Sequence, residues 1–175
     1  GAEVDFVDID PDTRNMSLPA LRDKLATAQA AGRCPDVLIP VDFSGLPCDL
    51  KEMRELADQY GFKILEDASH ATGASYQGQM IGSAYADATV FSFHAVKIIT
   101  TAEGGMITTQ DPDLARRLRL LRSHGMSRDP QTMVNPSEGP WYYEQSVLGF
   151  NYRLTDIQAA LGVSQLARVA DLHAR

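Results

Sequence analysis

The sequence predicts an α/β protein with a mostly parallel, mixed sheet flanked by helices in three layers. Two observations carry that expectation. Apolar runs of strand character alternate with helical patterns through residues 1–67, the rhythm of right-handed crossovers between parallel strands. Beyond Asp67 the segments shorten and turn formers multiply, in "ASYQGQMIGSAYADATVFSF" and "GGMITT", which brings antiparallel pairing into the same sheet.

Each element has a local reason. "GAEVDFVDID" alternates apolar and polar residues and reads as a strand already in progress. Ser17 caps a helix over 17–32, with Pro19 in its first turn and Gly32 as its stop. "DVLIPVDF" is the next strand. A second helix runs from Asp49 to Gly61, with Leu50, Met53, Leu56 and Ala57 at helical spacing. "FKILED" is a strand ending on Glu66 and Asp67, and "ATVFS" and "GGMITT" supply two more. A helix from Pro112 to Ser123 follows, and "TDIQAALGVSQLARVADLHAR" reads as one closing helix that runs out uncapped. With no initiator Met in front of that first strand, a piece of a longer protein is expected.

Composition narrows the class. With 175 residues, 44% hydrophobic and 22% charged, the chain can bury a sizeable core. A net charge of −7 and basic residues spread along the chain argue against a nucleic-acid surface. "ARRLRLLRSHG" reads as a solvated helix face. No apolar run reaches membrane-spanning length, so no membrane partner and a cytoplasmic location are expected. Cys34 and Cys48 lack the paired spacing of a metal or redox site, and no metal is expected. "NMS", beginning at Asn15, is read as a chance match to the glycosylation triplet.

Open parallel sheets bind ligands at the carboxyl ends of their strands. "KILED" puts Asp67 there, His70 follows three residues on, Ser92 ends "ATVFS", and Lys97 stands five residues later. Singly, each has a plainer reading as a helix cap, a turn former or a surface lysine. Together they supply an amine that condenses with an aldehyde once partly desolvated, an acid for a ring nitrogen and a hydroxyl for a phosphate. Pyridoxal phosphate needs those three groups.

"ILEDASHATGASYQGQMIGSAYADATVFSFHAVKIITTAEGGMITT" resembles the core of the DegT/DnrJ family of fold-type I, pyridoxal phosphate-dependent sugar aminotransferases. "GFNYRLTDIQAALGVSQL" resembles that family's downstream motif. The resemblance implies that residues 1–175 are part of the large, cofactor-binding domain, with an amino-terminal segment and the small carboxyl-terminal domain outside it. It implies that Lys97 forms the Schiff base and carries the proton during transamination, that Asp67 holds the pyridine nitrogen, and that Ser92 donates to the phosphate. His70, where many members carry Gln, would contact the cofactor. Asn151, in "NYR", would reach the phosphate of the neighbouring subunit's cofactor, with Arg153 close by, which implies a homodimer with shared active sites.

The family's substrates are a keto sugar linked to a nucleotide and an amino acid donor such as glutamate. "EDASHA", "SFHAVKIITTAEGG" and "RSHGM" most resemble the branch that makes the UDP-linked 4-amino sugar precursor of pseudaminic acid, a UDP-4-amino-4,6-dideoxy-N-acetyl-beta-L-altrosamine. Relatives with histidine in place of the Schiff-base lysine act as sugar dehydratases, and Lys97 favours transfer. A catalytically incomplete cofactor-binding or dimerisation fragment stays open as an alternative. A dinucleotide-binding oxidoreductase does not, because no G-x-G-x-x-G follows the first strand. "TAEGGM" lacks the Gly-Lys-Ser/Thr ending of a phosphate loop, and its glycines are expected to allow a tight strand entry.

Overall fold

The computed structural model describes residues 1–173. They divide into two units, Gly1–Gln110 with the chain from Ile157 on, and Asp111–Asp156. In the first unit Ser17 caps α1 (Leu18–Ala30), its side chain accepting the Ala20 N–H. α2 (Leu50–Tyr60) buries Leu50, Met53, Leu56 and Ala57, the four residues its spacing put on one face, and ends at Gly61 with a left-handed φ of 80°. Leu21 and Leu25 of α1 pack with these residues and with Leu38, Phe62 and Ile64 in the main core.

That core covers a four-stranded mixed sheet of order β1 (Val37–Leu38), β2 (Lys63–Asp67), β5 (Ala88–Ser92), β6 (Gly105–Thr108). The first three strands run parallel and β6 pairs antiparallel to β5, as the change of rhythm after Asp67 requires. β3 (Ser75–Tyr76) and β4 (Gln79–Met80) form a small hairpin.

Three expectations need correction. "GAEVDFVDID" is not a ladder strand. Only Ile9 pairs, in an isolated bridge to Met16, and Phe6 stays 80% exposed. A strand needs a neighbour's donors and acceptors. Here Lys24 Nζ ties down the Asp5 carboxylate and the Phe6 carbonyl instead.

"DVLIPVDF" pairs regularly only at Val37 and Leu38. Pro40 has no N–H to donate, yet the same register resumes with Val41 opposite Asp67. The closing helix is broken into α4 (Asp156–Leu166) and α5 (Val169–His173). The break falls where Arg168 N–H bonds back to Gln165 O, a tighter turn that leaves the α-helical ladder. The last two residues of that expected helix, 174 and 175, lie outside the described residues.

The second unit holds α3 (Pro112–Leu121), capped by the Asp111 carboxylate. It also holds a short ladder of β7 (Met126–Ser127) with β8 (Glu144–Gln145). Between those strands Glu144 gathers the backbone N–H groups of Val134 and Asn135 and the Tyr142 hydroxyl.

Candidate active site

β2 and β5 are in parallel register, with Asp67 opposite Val90, so their carboxyl ends lie side by side. Asp67 closes β2, and Ser92 closes β5 two residues past that pair. Backbone bonds fix Asp67: its N–H donates to Pro40 O at 2.9 Å and its carbonyl accepts the Asp42 N–H at 3.0 Å. Its Oδ1 accepts the Ser69 N–H at 3.0 Å, a turn that leads the chain directly to exposed His70. Gly45 presses against that turn. A Cβ there would stand 2.9 Å from the His70 carbonyl, and φ is +88°.

Lys97 lies in the loop joining β5 to β6. Phe93 closes the loop, its N–H donating to Gly104 O at 2.9 Å and its carbonyl accepting the Thr101 N–H at 2.9 Å. Lys97 N–H bonds to His94 O at 3.0 Å, and Ser92 Oγ accepts the His94 N–H at 3.3 Å. The lysine is half-buried between exposed Val96 and Ile98, while Ile99 roots the loop in the interior. The two glycines act as expected: Gly104 has φ +153°, and a Cβ on Gly105 would meet the Phe91 carbonyl at 2.8 Å.

Asp67 and Ser92 thus end two paired strands, β2 and β5, and Lys97 stands in the loop that leaves β5 for β6, with His70 in the turn after β2. This donor set fits pyridoxal phosphate: a carboxylate, a hydroxyl and a half-buried amine, each on separately anchored backbone. Asn151 belongs to the second unit, where it is exposed and bridges to Ser123. Arg153 lines an open cleft of about 490 Å³ in that unit with Ser123, His124, Arg128 and Tyr143.

One group behind Asp67 escaped the sequence reading. Asp42 and Glu66 are both fully buried. Thr89 Oγ1 donates to Glu66 Oε2 at 2.6 Å, and Cys48 N–H donates to Asp42 Oδ1 at 2.9 Å. The two remaining oxygens, Asp42 Oδ2 and Glu66 Oε1, meet no N–H or O–H donor. Burial pushes both carboxyls upward, Glu66 to about 7 with the Asp42 charge adding to it. The same burial, aided by Asp42, pushes the Cys48 thiol up to about 12. The strand period held a signal, since Glu66 shares the inward face of β2 with Ile64. Asn15 is likewise structural: it is buried, with Nδ2 on Leu46 O and Oδ1 accepting the Phe43 N–H, so it pins the turn after Asp42.

Residues 1–175, the whole chain, match the DegT/DnrJ/EryC1/StrS aminotransferase family. The chain belongs to that family. It is 41% identical over its full length to the spore coat polysaccharide biosynthesis protein SpsC of Bacillus subtilis, covering 43% of SpsC. It superposes on Helicobacter pylori PseC, an aminotransferase of pseudaminic acid biosynthesis, with a TM-score of 0.82 and 34% identity, over 95% of this chain and 40% of that one. A Brucella abortus DegT DnrJ EryC1 StrS aminotransferase gives a TM-score of 0.83 at 34% identity, over 98% of this chain and 43% of its own. The chain therefore spans about two fifths of the length of these relatives. Its mixed, helix-flanked sheet is that of the fold-type I aminotransferases in the family. No described helix is long and apolar enough to cross a membrane, and the described residues hold no cluster of three or more potential metal ligands.

Proposed function

We propose that residues 1–175 are part of the cofactor-binding domain of a pyridoxal phosphate-dependent sugar aminotransferase. It would move an amino group from an amino acid such as glutamate to a nucleotide-linked, UDP-type 4-keto-6-deoxy sugar. The observation that carries this reading is the parallel pairing of β2 and β5, which sets the Asp67 carboxylate and the Ser92 hydroxyl at neighbouring strand ends and continues into the loop of Lys97. Bound there, the cofactor supplies an electron sink for charge developing beside the transferred nitrogen.

The chain's own groups do the rest. Lys97 Nζ would hold the cofactor through its aldehyde carbon with loss of water and, once displaced by the donor's amine, would carry the proton from the donor's carbon to the cofactor's former aldehyde carbon. The Asp67 carboxylate keeps the ring nitrogen protonated by placing a fixed negative charge against it. Ser92 Oγ donates to a phosphate oxygen. His70 would contact the cofactor, and in a homodimer Asn151 would reach the phosphate of the partner subunit's cofactor, with Arg153 nearby. Exposed Asn151, flanked by the stacked and exposed Phe150 and Tyr152, suits such a contact. The similarity to PseC supports the pseudaminic-acid type of sugar, and the free cysteines Cys34 and Cys48 suit the cytoplasm.

A second reading has its own observation. Because the chain spans about two fifths of its relatives, it also fits a folded part that binds the cofactor without completing the site. Lys97→Ala in a protein of the relatives' full length tests the first reading. Amino transfer from glutamate to a UDP-linked 4-keto sugar should vanish, and retained turnover would sink the proposal.

A further inference from the structure

Behind Asp67 the interior holds two acids where one would already be costly. Asp42 and Glu66 are both fully buried, and two buried anions cannot face each other without a proton between them. Each has one oxygen occupied, Asp42 Oδ1 by the Cys48 N–H and Glu66 Oε2 by the Thr89 hydroxyl. Each has one oxygen with no donor, Asp42 Oδ2 and Glu66 Oε1. A proton on Glu66 Oε1 donated to Asp42 Oδ2 would satisfy both at once.

The pair is wired to the candidate site through the backbone. Glu66 immediately precedes Asp67 on β2, and Asp42 N–H donates to the Asp67 carbonyl at 3.0 Å. The turn after Asp42 is pinned by Asn15 and, through Gly45, touches the His70 carbonyl.

We infer that Asp42 and Glu66 share one buried proton, and that this carboxyl pair is a positioning device locking the turn after Asp42 onto the strand end that carries Asp67. The positioning half rests on the reading that Asp67 holds the cofactor nitrogen. Asp67 is the other acid near the pair, and the Cys48 thiol stays neutral beside it, held up by burial. Loss of the proton would leave two facing anions in the core and drive the turn from the strand. The direction agrees with burial pushing Glu66 up to about 7.

The test uses the 175-residue chain, Glu66→Gln and Asp42→Asn. Gln at 66 donates to Asp42 Oδ2 without titrating, and Asn at 42 donates to Glu66 Oε1, so either variant serves if the other fails to fold. Carboxyl infrared spectra should show a protonated acid in the parent that disappears as pH rises through neutrality and is missing from E66Q. Hydrogen exchange of the Asp42 and Asp67 amides, corrected for intrinsic rates, should speed up over the same span in the parent and stay flat in E66Q or D42N.

A signal that persists in E66Q, or equal protection in all three proteins, overturns the shared proton. Pyridoxal phosphate affinity by absorbance tests the positioning role. E66Q should keep the parent's affinity, while Glu66→Leu, which leaves Asp42 buried and unpartnered, should lose about tenfold. Equal affinity of the parent and E66L would remove the positioning role. A parent chain that shows the titrating acid yet binds no pyridoxal phosphate upholds the shared proton and counts against the functional reading beneath the positioning role.

Discussion

The Asp42 N–H donates to the Asp67 carbonyl at 3.0 Å, while the Asp42 side chain is fully buried, as is that of Glu66, the residue before Asp67. The strand end of the candidate site and the acid pair behind it are therefore joined through a single residue. Stability and site geometry should respond to pH together.

The sign of that response follows from Glu66. Its carboxyl is raised from 4.5 to about 7 in the folded chain, so between those values the folded state holds a proton that the unfolded state has released. This contribution to stability is fully present below the unfolded value, declines as pH rises, and is gone above about 7. The unfolding free energy from urea titrations of the parent minus that of E66Q should fall as pH rises from 4.5 to about 7, with a slope of at most about 1.4 kcal/mol per pH unit. A difference that stays constant with pH would contradict the assignment.

Thr89 donates its hydroxyl to Glu66 at 2.6 Å from a buried position on β5. Thr89→Val should cost about 1–3 kcal/mol by removing a donor from a buried acid. Because that bond lowers the Glu66 pKa, its loss should also move the stability break to higher pH. Thr89→Ser keeps the hydroxyl and should keep the break in place. Equal curves for the two variants would show that the hydroxyl does not matter.

How far the sequence could be read depends on whether the signal was local. Helix α2 was legible because Leu50, Met53, Leu56 and Ala57 repeat at helical spacing, and all four are buried. The placement of Asp67 and Ser92 at strand ends was legible because strand ends are marked by adjacent turns. The first ten residues misled because alternation gives a face and not a partner. Pro40 split its strand without shifting register. Glu66 lay on the visible inward face of β2, but its partner Asp42 comes from an earlier turn that no local period connects to it.

Gly105 admits no side chain, since a Cβ would meet the Phe91 carbonyl at 2.8 Å. Gly105→Ala should therefore displace the entry to β6, costing about 1–3 kcal/mol, and weaken cofactor capture at Lys97 with it. Thermal melts and pyridoxyl labelling read the two effects. An unchanged melt with unchanged labelling would show that the loop's geometry does not depend on this close approach.

In the second unit Glu144 is held down to about 2, first by the Val134 and Asn135 N–H groups. That contribution is present above the ordinary value of 4.5 and lost as pH falls through about 2. Glu144→Ala should open the segment between β7 and β8 and speed protease cleavage there at neutral pH. Cleavage at the parent's rate would mean that the carboxylate does not organise the segment.

The most direct test of the central claim is to incubate the purified chain with pyridoxal phosphate, reduce it with borohydride, digest it and map the pyridoxyl group by mass spectrometry. One adduct should form, on Lys97, abolished by Lys97→Ala and weakened by Asp67→Ala. No adduct, or labelling scattered over Lys24, Lys51 and Lys63 as readily as Lys97, would contradict it.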